Sequence, residues 1–219
     1  MTATSNLQQK ASNFYGLFRY DPSALSGSKL HIFTAIRAEA AAIRGILPDG
    51  VELTIIGIRA VRLPQHVDAR AIILAGFAGA LDPALAIGDI VQDSPPGTIY
   101  TSSEIVATAA EKAALFRRTG AKAVDMETAI VRNFAERLGA RFVGIRAISD
   151  TAREDVDPLV LKFIDETGRL RPHAIATALI RKPAVVRTLH RLRANTAVAG
   201  RSLAAAVGIF LKSNPELSE

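Results

Sequence analysis

The sequence predicts an α/β protein of three layers, α/β/α, around a central twisted mixed β-sheet. Three observations predict it. Apolar residues make up 49% of the 219 positions, enough for one sizeable core and too many for a disordered chain. The run AIILA at 71–75 is apolar without interruption, the mark of a strand buried on both faces. Segments with strand character alternate with segments of helical period, as in a largely parallel sheet.

Taken in order, residues 1–29 are polar and Ser-rich with a few aromatics (Phe14, Tyr15, Phe18, Tyr20) and read as an N-terminal arm ending in a loop at 22–28. Residues 30–219 read as a single domain. Its first strand is 30–35, followed by an Ala-rich helix over 37–47 that stops before Pro48. Residues 51–56 form a second strand, stopped by Gly57. After the strand at 71–75, GFAG at 76–79 reads as a turn, and a further strand starts at 88–91. A helix is expected over 103–118, with Ser102 or Ser103 as N-cap and Gly120 near its end. A second helix over 124–138 places Ile130, Phe134 and Leu138 on one face and ends at Gly139. Residues 141–148 form a strand and 159–163 a short helical piece. A long basic helix covers 183–212, with a break expected near Gly200.

Composition removes several classes of function. With no Cys, disulfides, thiolate zinc sites and a Cys nucleophile are excluded together. The four His residues (His31, His66, His173, His190) have no ligand spacing, so neither a metal nor a cofactor is expected. No apolar run reaches the ~18 residues of a spanning helix, and the N-terminus has no signal-peptide pattern, which fits a cytoplasmic protein. The net charge of +6 sits in the C-terminal stretch, where 167–215 holds nine Lys or Arg and no acid. That stretch has few aromatics and no nucleic-acid motif, so no nucleic-acid partner is expected. Peripheral contact with an anionic membrane is the sharper reading of the basic helix; packing on the domain with the basic face in water is the plainer one.

The chemistry-bearing residues stand at strand ends. Glu39 follows the first strand, Glu127 lies in AVDMETAI at 123–130, and Asp150 closes GIRAISD at 144–150. Carboxylates beside apolar runs are costly to bury unless paired or used, and open α/β sheets bind ligands beyond the carboxyl ends of their strands. Each also has a plain structural reading: Glu39 a solvated helix residue, Glu127 favoured by a helix dipole, Asp150 an N-cap, Arg146 an ion-pair partner on a strand face. The pattern G-x-G-x-x-G is absent, so the glycines are no dinucleotide fingerprint.

Four stretches in order, LAGFAGAL at 74–81, IGDIV at 87–91, AVDME at 123–127 and GIRAISDTA at 144–152, resemble the nucleoside phosphorylase/nucleosidase superfamily. The pattern is most similar to methylthioadenosine/S-adenosylhomocysteine nucleosidases and to the hopanoid-associated phosphorylase subgroup, and it spans about 30–152. The resemblance implies a phosphorylase/hydrolase-like fold and cleavage of the N-glycosidic bond of a purine, expectedly adenine, nucleoside. On it, Asp150 protonates or hydrogen-bonds the purine N7, a role that wants a raised pKa supplied by an apolar pocket. Glu127 accepts the two ribose hydroxyls, Met126 forms an apolar floor under the sugar, and Glu39 activates the attacking water. Ile105 and Val106 fall where the base is clamped; Phe77, Ala78, Gly79 and Ser149 belong to the substrate site; Arg146 orients the carboxylates. The resemblance also implies a homo-oligomer.

Two departures from the pattern matter. Phe77 stands where a small polar residue is usual, and Leu74 and Ala75 stand where the phosphorylases carry an Arg for phosphate. Water is therefore preferred over phosphate as co-substrate. The connection over 57–71 is short for the family, which would open the pocket or alter a subunit contact. Phosphorolysis with the same sites, and a non-catalytic nucleoside-binding relative, remain alternatives. The basic C-terminal stretch and Phe77 also suit a hopanoid-linked, apolar 5′ substituent.

Overall fold

The computed structural model of the chain describes residues 29–156 and 185–214, with 163, 165, 171 and 173 as isolated positions between them. Among the described residues, seven strands form one mixed sheet flanked by helices. The elements are β1 (Leu30–Thr34), α1 (Arg37–Arg44), β2 (Glu52–Ile55), β3 (Ala71–Ala80), β4 (Ile90–Gln92), β5 (Ile99–Thr101), α2 (Ala109–Thr119), β6 (Ala123–Asp125), α3 (Thr128–Arg137), β7 (Arg141–Asp150) and α4 (Val185–Ser213). The expected arm at 1–28 and nearly all of the expected helical piece at 159–163 lie outside the described residues.

β3 is the axis of the sheet. Its first half pairs with β1 on one side, its last two residues pair with β6, and β7 follows it along the other side. The three long pairings β1–β2, β1–β3 and β3–β7 are parallel; β4 runs antiparallel to β7 and β6 antiparallel to β3. Alternate residues of β1 and β3 enter different cores, because successive side chains point to opposite faces. Ile32, Ile73 and Ala75 join Ile43, Leu203, Val207 and Phe210 under α1 and α4. Phe33, Ile72 and Leu74 join Ile56, Val131 and Phe134 under α3. Burial on both faces explains the unbroken apolar run at 71–75.

The structure corrects several expected elements. GFAG at 76–79 is not a turn; β3 runs through it to Ala80, because β7 continues to supply partners there. The α2 helix begins at Ala109, six residues later than expected, because Thr108 is its N-cap: the Thr108 hydroxyl accepts the Glu111 N–H and Glu111 reaches back to the Thr108 N–H. Gly120 ends it at φ 68°, the left-handed conformation glycine tolerates. Residues 124 and 125, read as the start of a helix, instead form β6 together with Ala123, held between β3 and β5. The buried stripe of α3 runs through Val131, Phe134 and Ala135, while Ile130 is exposed. The α4 helix does not break near Gly200.

By length and composition His190–Ser213 is apolar enough to cross a membrane. Its Ala199, Leu203, Val207 and Phe210 are nevertheless core residues, packed on β1, β3 and β7. Its Arg191, Arg193, Arg201 and Lys212 are in regular helix and lie outside that stripe.

Candidate functional site

The exchange of β1 for β6 along β3 creates a gap. β1 pairs with β3 as far as Leu74, and β6 arrives only at Gly79. The N–H of Phe77 falls in the gap and donates to Glu39 Oε1 at 2.7 Å. Glu39 Oε2 accepts the N–H groups of Ala35 (2.7 Å) and Ile36 (2.9 Å), the start of its own helix. Glu39 is thus buried, not a solvated helix residue, and one carboxylate ties β1, α1 and β3 together.

Arg146 enters the same gap from β7, where it is the register partner of Gly76. A Cβ on Gly76 would collide with Arg146 Nη1 and with the Glu39 carboxylate, so glycine is what lets the guanidinium cross the strand. Arg146 Nη2 donates to Asp125 Oδ2 at 2.5 Å and to Glu127 Oε2 at 3.4 Å. Asp125 also accepts from the Thr128 N–H and hydroxyl and from the Thr101 hydroxyl, which locks the start of α3 to β5. Its role is structural.

Glu39, Asp125 and Glu127 therefore surround one guanidinium, all four side chains buried. Burial pushes the Glu127 carboxyl up to about 7, opposed by Arg146 and reinforced by Asp125 and Glu39. Burial also raises Glu39 above the ordinary carboxyl range, against the pull of Arg146 and the three backbone N–H groups. Burial alone would loosen the Arg146 proton, but the three carboxylates outweigh it and hold the charge more firmly. Nη1 and Nε of Arg146 are buried and have no hydrogen-bond partner within the protein.

The connection over 57–71 supplies a contact that sequence reasoning missed. The Arg59 N–H donates to Glu127 Oε1 at 2.9 Å, from a 3₁₀ turn in which Arg59 and Ala60 both have positive φ, 58° and 54°. Non-glycine residues rarely adopt that conformation, and such strain clusters at ligand sites. The connection thus reaches over Glu127 instead of leaving it open.

Farther along β3, a register shift between Ala78 and Gly79 brings Asp150 opposite Gly79. A Cβ on Gly79 would lie 2.9 Å from Asp150 Oδ2. The Ser149 hydroxyl donates to Asp150 Oδ1 at 3.0 Å. The expected apolar surroundings of Asp150 are not found: Lys112 Nζ lies 2.6 Å from its Oδ2. Lys112 is another residue the sequence did not single out, being one Lys in a helix of ordinary amphipathic pattern.

The remaining expected residues divide. Ser149 and Asp150 line a small open pocket with Glu154 and Asp155, and α4 contributes Arg191 and Asn195 to its wall. Met126, half-buried, lies between the cluster members Asp125 and Glu127. Ala78 is buried in the core shared by β3, β4 and β6. Ile105 and Val106 lie in the loop before α2, with Val106 packed on Leu115 and Val124. Phe77 is not brought to the carboxylates: its ring packs on the core under α4, toward Gly200. A roomier hollow, about 770 Å³ of empty space beside Leu81, Ala113, Phe116 and Arg153, holds none of these carboxylates and is set aside.

Residues 93–181 match the model of the phosphorylase superfamily. No curated protein matches the sequence. Among solved structures, 5′-methylthioadenosine/S-adenosylhomocysteine nucleosidase from Helicobacter pylori is similar at 16% identity and a TM-score of 0.54, covering 82% of this chain and 97% of that one. Futalosine hydrolase of Helicobacter pylori is similar at 16% identity and 0.53, covering 83% and 97%. S-adenosylhomocysteine nucleosidase from Streptococcus pyogenes is similar at 19% identity and 0.55, covering 87% and 98%. The three-layer fold around a mixed sheet is that of these nucleosidases.

Proposed function

We propose that this chain, whose residues 93–181 match the model of the phosphorylase superfamily, breaks the bond between ribose and base in a purine nucleoside and passes the sugar to water. One observation carries the reading: Glu39 and Asp150, far apart in sequence, meet the same short stretch of β3, and Glu127 joins Glu39 around Arg146. Glu39 and Arg146 crowd Gly76, and Asp150 crowds Gly79. Three residues of extended strand span about 10 Å, the scale of a nucleoside from sugar to base. The relatives of similar fold named above act on methylthioadenosine, S-adenosylhomocysteine or futalosine by their names, which supports the same bond class here.

In this reading Asp150 meets the imidazole side of the base. Glu127, oriented by Arg146, holds the ribose hydroxyls. Glu39 accepts a proton from the attacking water. As the bond from C1′ to N9 breaks, its electron pair goes to the base, which takes a proton from the Asp150 carboxyl; water oxygen bonds to C1′ and gives up a proton to Glu39, and the Glu39 proton is returned to Asp150 through solvent to close the cycle. Three N–H donors already occupy Glu39, and a carboxylate has about four acceptor positions, so one remains for water.

Water is favoured over phosphate on two grounds. Leu74 and Ala75, where an anion-holding side chain would stand, are fully buried apolar residues. Three carboxylates around one guanidinium also make the sugar end unfavourable for a phosphate dianion. A hopanoid-linked 5′ substituent is a finer proposal; with Phe77 packed under α4 it rests on the basic C-terminal stretch, and so does membrane contact. Homo-oligomerisation is proposed by analogy alone.

Base release from adenosine, 5′-methylthioadenosine, S-adenosylhomocysteine, inosine and adenosylhopane, each with and without phosphate, tests the reading. The unphosphorylated sugar with its 5′ group intact as product, and an Asp150→Asn variant that folds but releases at least about 100-fold less base, are expected. The 1-phosphate of the same sugar as product would select phosphorolysis. No release from any of them would select a binding protein.

A further inference from the structure

Lys112 has no part in the chemistry just described, yet its side chain is fully buried. Nothing about its position favours it on other grounds. It stands in the first turns of α2, where the helix dipole disfavours a cation, and burying an ammonium is costly unless every proton finds a partner. Every proton does: Nζ lies 2.6 Å from Asp150 Oδ2, 2.8 Å from the Thr151 carbonyl and 2.9 Å from the Glu154 carbonyl. Three acceptors match the three N–H bonds of an ammonium. A neutral amine has two, and would turn its lone pair on one of the three oxygens.

Asp150 is held correspondingly tightly. Oδ2 is taken by Lys112 and pressed against Gly79, while Oδ1 sits beside the Ser149 hydroxyl. The other charged groups of this pocket are engaged elsewhere: Glu154 Oε2 accepts the Thr151 N–H, Asp155 Oδ1 accepts the Ala109 N–H, and Arg191 Nη2 donates to the Asp155 carbonyl.

We infer that Lys112 is a positioning residue for Asp150: it pairs with Oδ2 and fixes it, and leaves Oδ1 as the oxygen that meets the base. The inference rests on the proposed role of Asp150. It replaces an acid set in apolar surroundings with one whose orientation is set by a buried cation.

Two substitutions separate the parts of this role. Lys112→Gln keeps two N–H donors for the Thr151 and Glu154 carbonyls but removes the charge; Lys112→Arg keeps the charge. The Asp150 carboxyl is followed by NMR in protein labelled at Asp, its signal identified by its loss in Asp150→Asn, and kcat and KM are measured across pH for each variant. In Lys112→Gln the Asp150 signal should titrate about one pH unit or more higher than in the unaltered protein, because an unpaired carboxylate binds its proton more tightly. The kcat should fall about tenfold or more with KM changed less, and the kcat profile should move with the signal. Lys112→Arg should return the titration and part of kcat. An unmoved Asp150 signal in Lys112→Gln overturns the inference, as does a moved signal with unchanged kcat and pH profile. If Lys112→Gln does not fold, the Arg variant decides: a titration shifted like that expected for Gln refutes the charge role. Full activity in Asp150→Asn would instead sink the proposed acid, and the NMR arm would still judge the ion pair.

Discussion

The Arg146 guanidinium occupies the space in which a side chain on Gly76 would sit. The two residues are register partners on adjacent parallel strands, and the arginine crosses the glycine to reach Asp125 and Glu127. Gly76→Ala should therefore displace Arg146 or Glu39. A loss of about 1–3 kcal/mol in urea unfolding is expected, with base release falling more steeply than stability. A variant of unchanged stability and activity would show that the guanidinium can be rerouted at no cost.

Removing the guanidinium is the harsher change. Arg146→Met leaves Glu39, Asp125 and Glu127 buried without their shared cation, and breaking such a group costs about 3–5 kcal/mol. The expected outcome is a protein that is unfolded or marginal at neutral pH and recovers as pH falls and the acids take up protons. Circular dichroism from pH 5 to 8 measures this.

Glu127 gives the unaltered protein a pH dependence of definite sign. Its folded pKa, raised to about 7, lies above the ordinary 4.5, so between these values the folded state holds more protons than the unfolded one. Stability therefore falls as pH rises from about 4.5 through about 7 and levels off above, by at most about 3 kcal/mol. Glu127→Gln should flatten that slope, and an unchanged slope in denaturant midpoints across pH 5 to 8 would contradict the assignment to Glu127.

The α4 helix should behave as core. Phe210→Ala, at a side chain 1% exposed, should cost about 3–5 kcal/mol by thermal or urea unfolding. Liposome flotation of the intact chain and of a version ending at residue 183 separates membrane contact from packing. Loss of folding in the shortened chain is the expected result, since the sheet face against Leu203 and Val207 would be bared.

The sequence made the strands of the buried centre legible because 71–75 and 141–148 are apolar enough to allow little else. It also marked Glu39, Glu127 and Asp150 through their position at the ends of such runs, and Arg146 through the family resemblance. It concealed whatever depended on contacts between distant segments. The three-residue β6 is a strand only because β3 and β5 flank it, and by composition it continues the helix that follows. Gly76 and Gly79 suggest a turn from sequence, whereas their lack of side chains serves Arg146 and Asp150 across the sheet. Lys112 and Arg59 were invisible for the same reason: one acts on a carboxylate 38 residues away and the other through its backbone N–H on one 68 residues away.

The gap where β1 has left β3 and β6 has not yet joined has a further consequence. Glu39 does there, with two oxygens, what a neighbouring strand would do with a row of carbonyls: it receives the Phe77 N–H and anchors the entry to α1. A Glu39→Gln change substitutes an amide nitrogen for one of those acceptors, and so opens a seam in the sheet while removing a base. Rate losses at this position are therefore composite, and stability must be measured beside turnover before either is assigned to chemistry. The same coupling narrows the paths by which the site can change, because any replacement for the acid must first be an adequate piece of sheet.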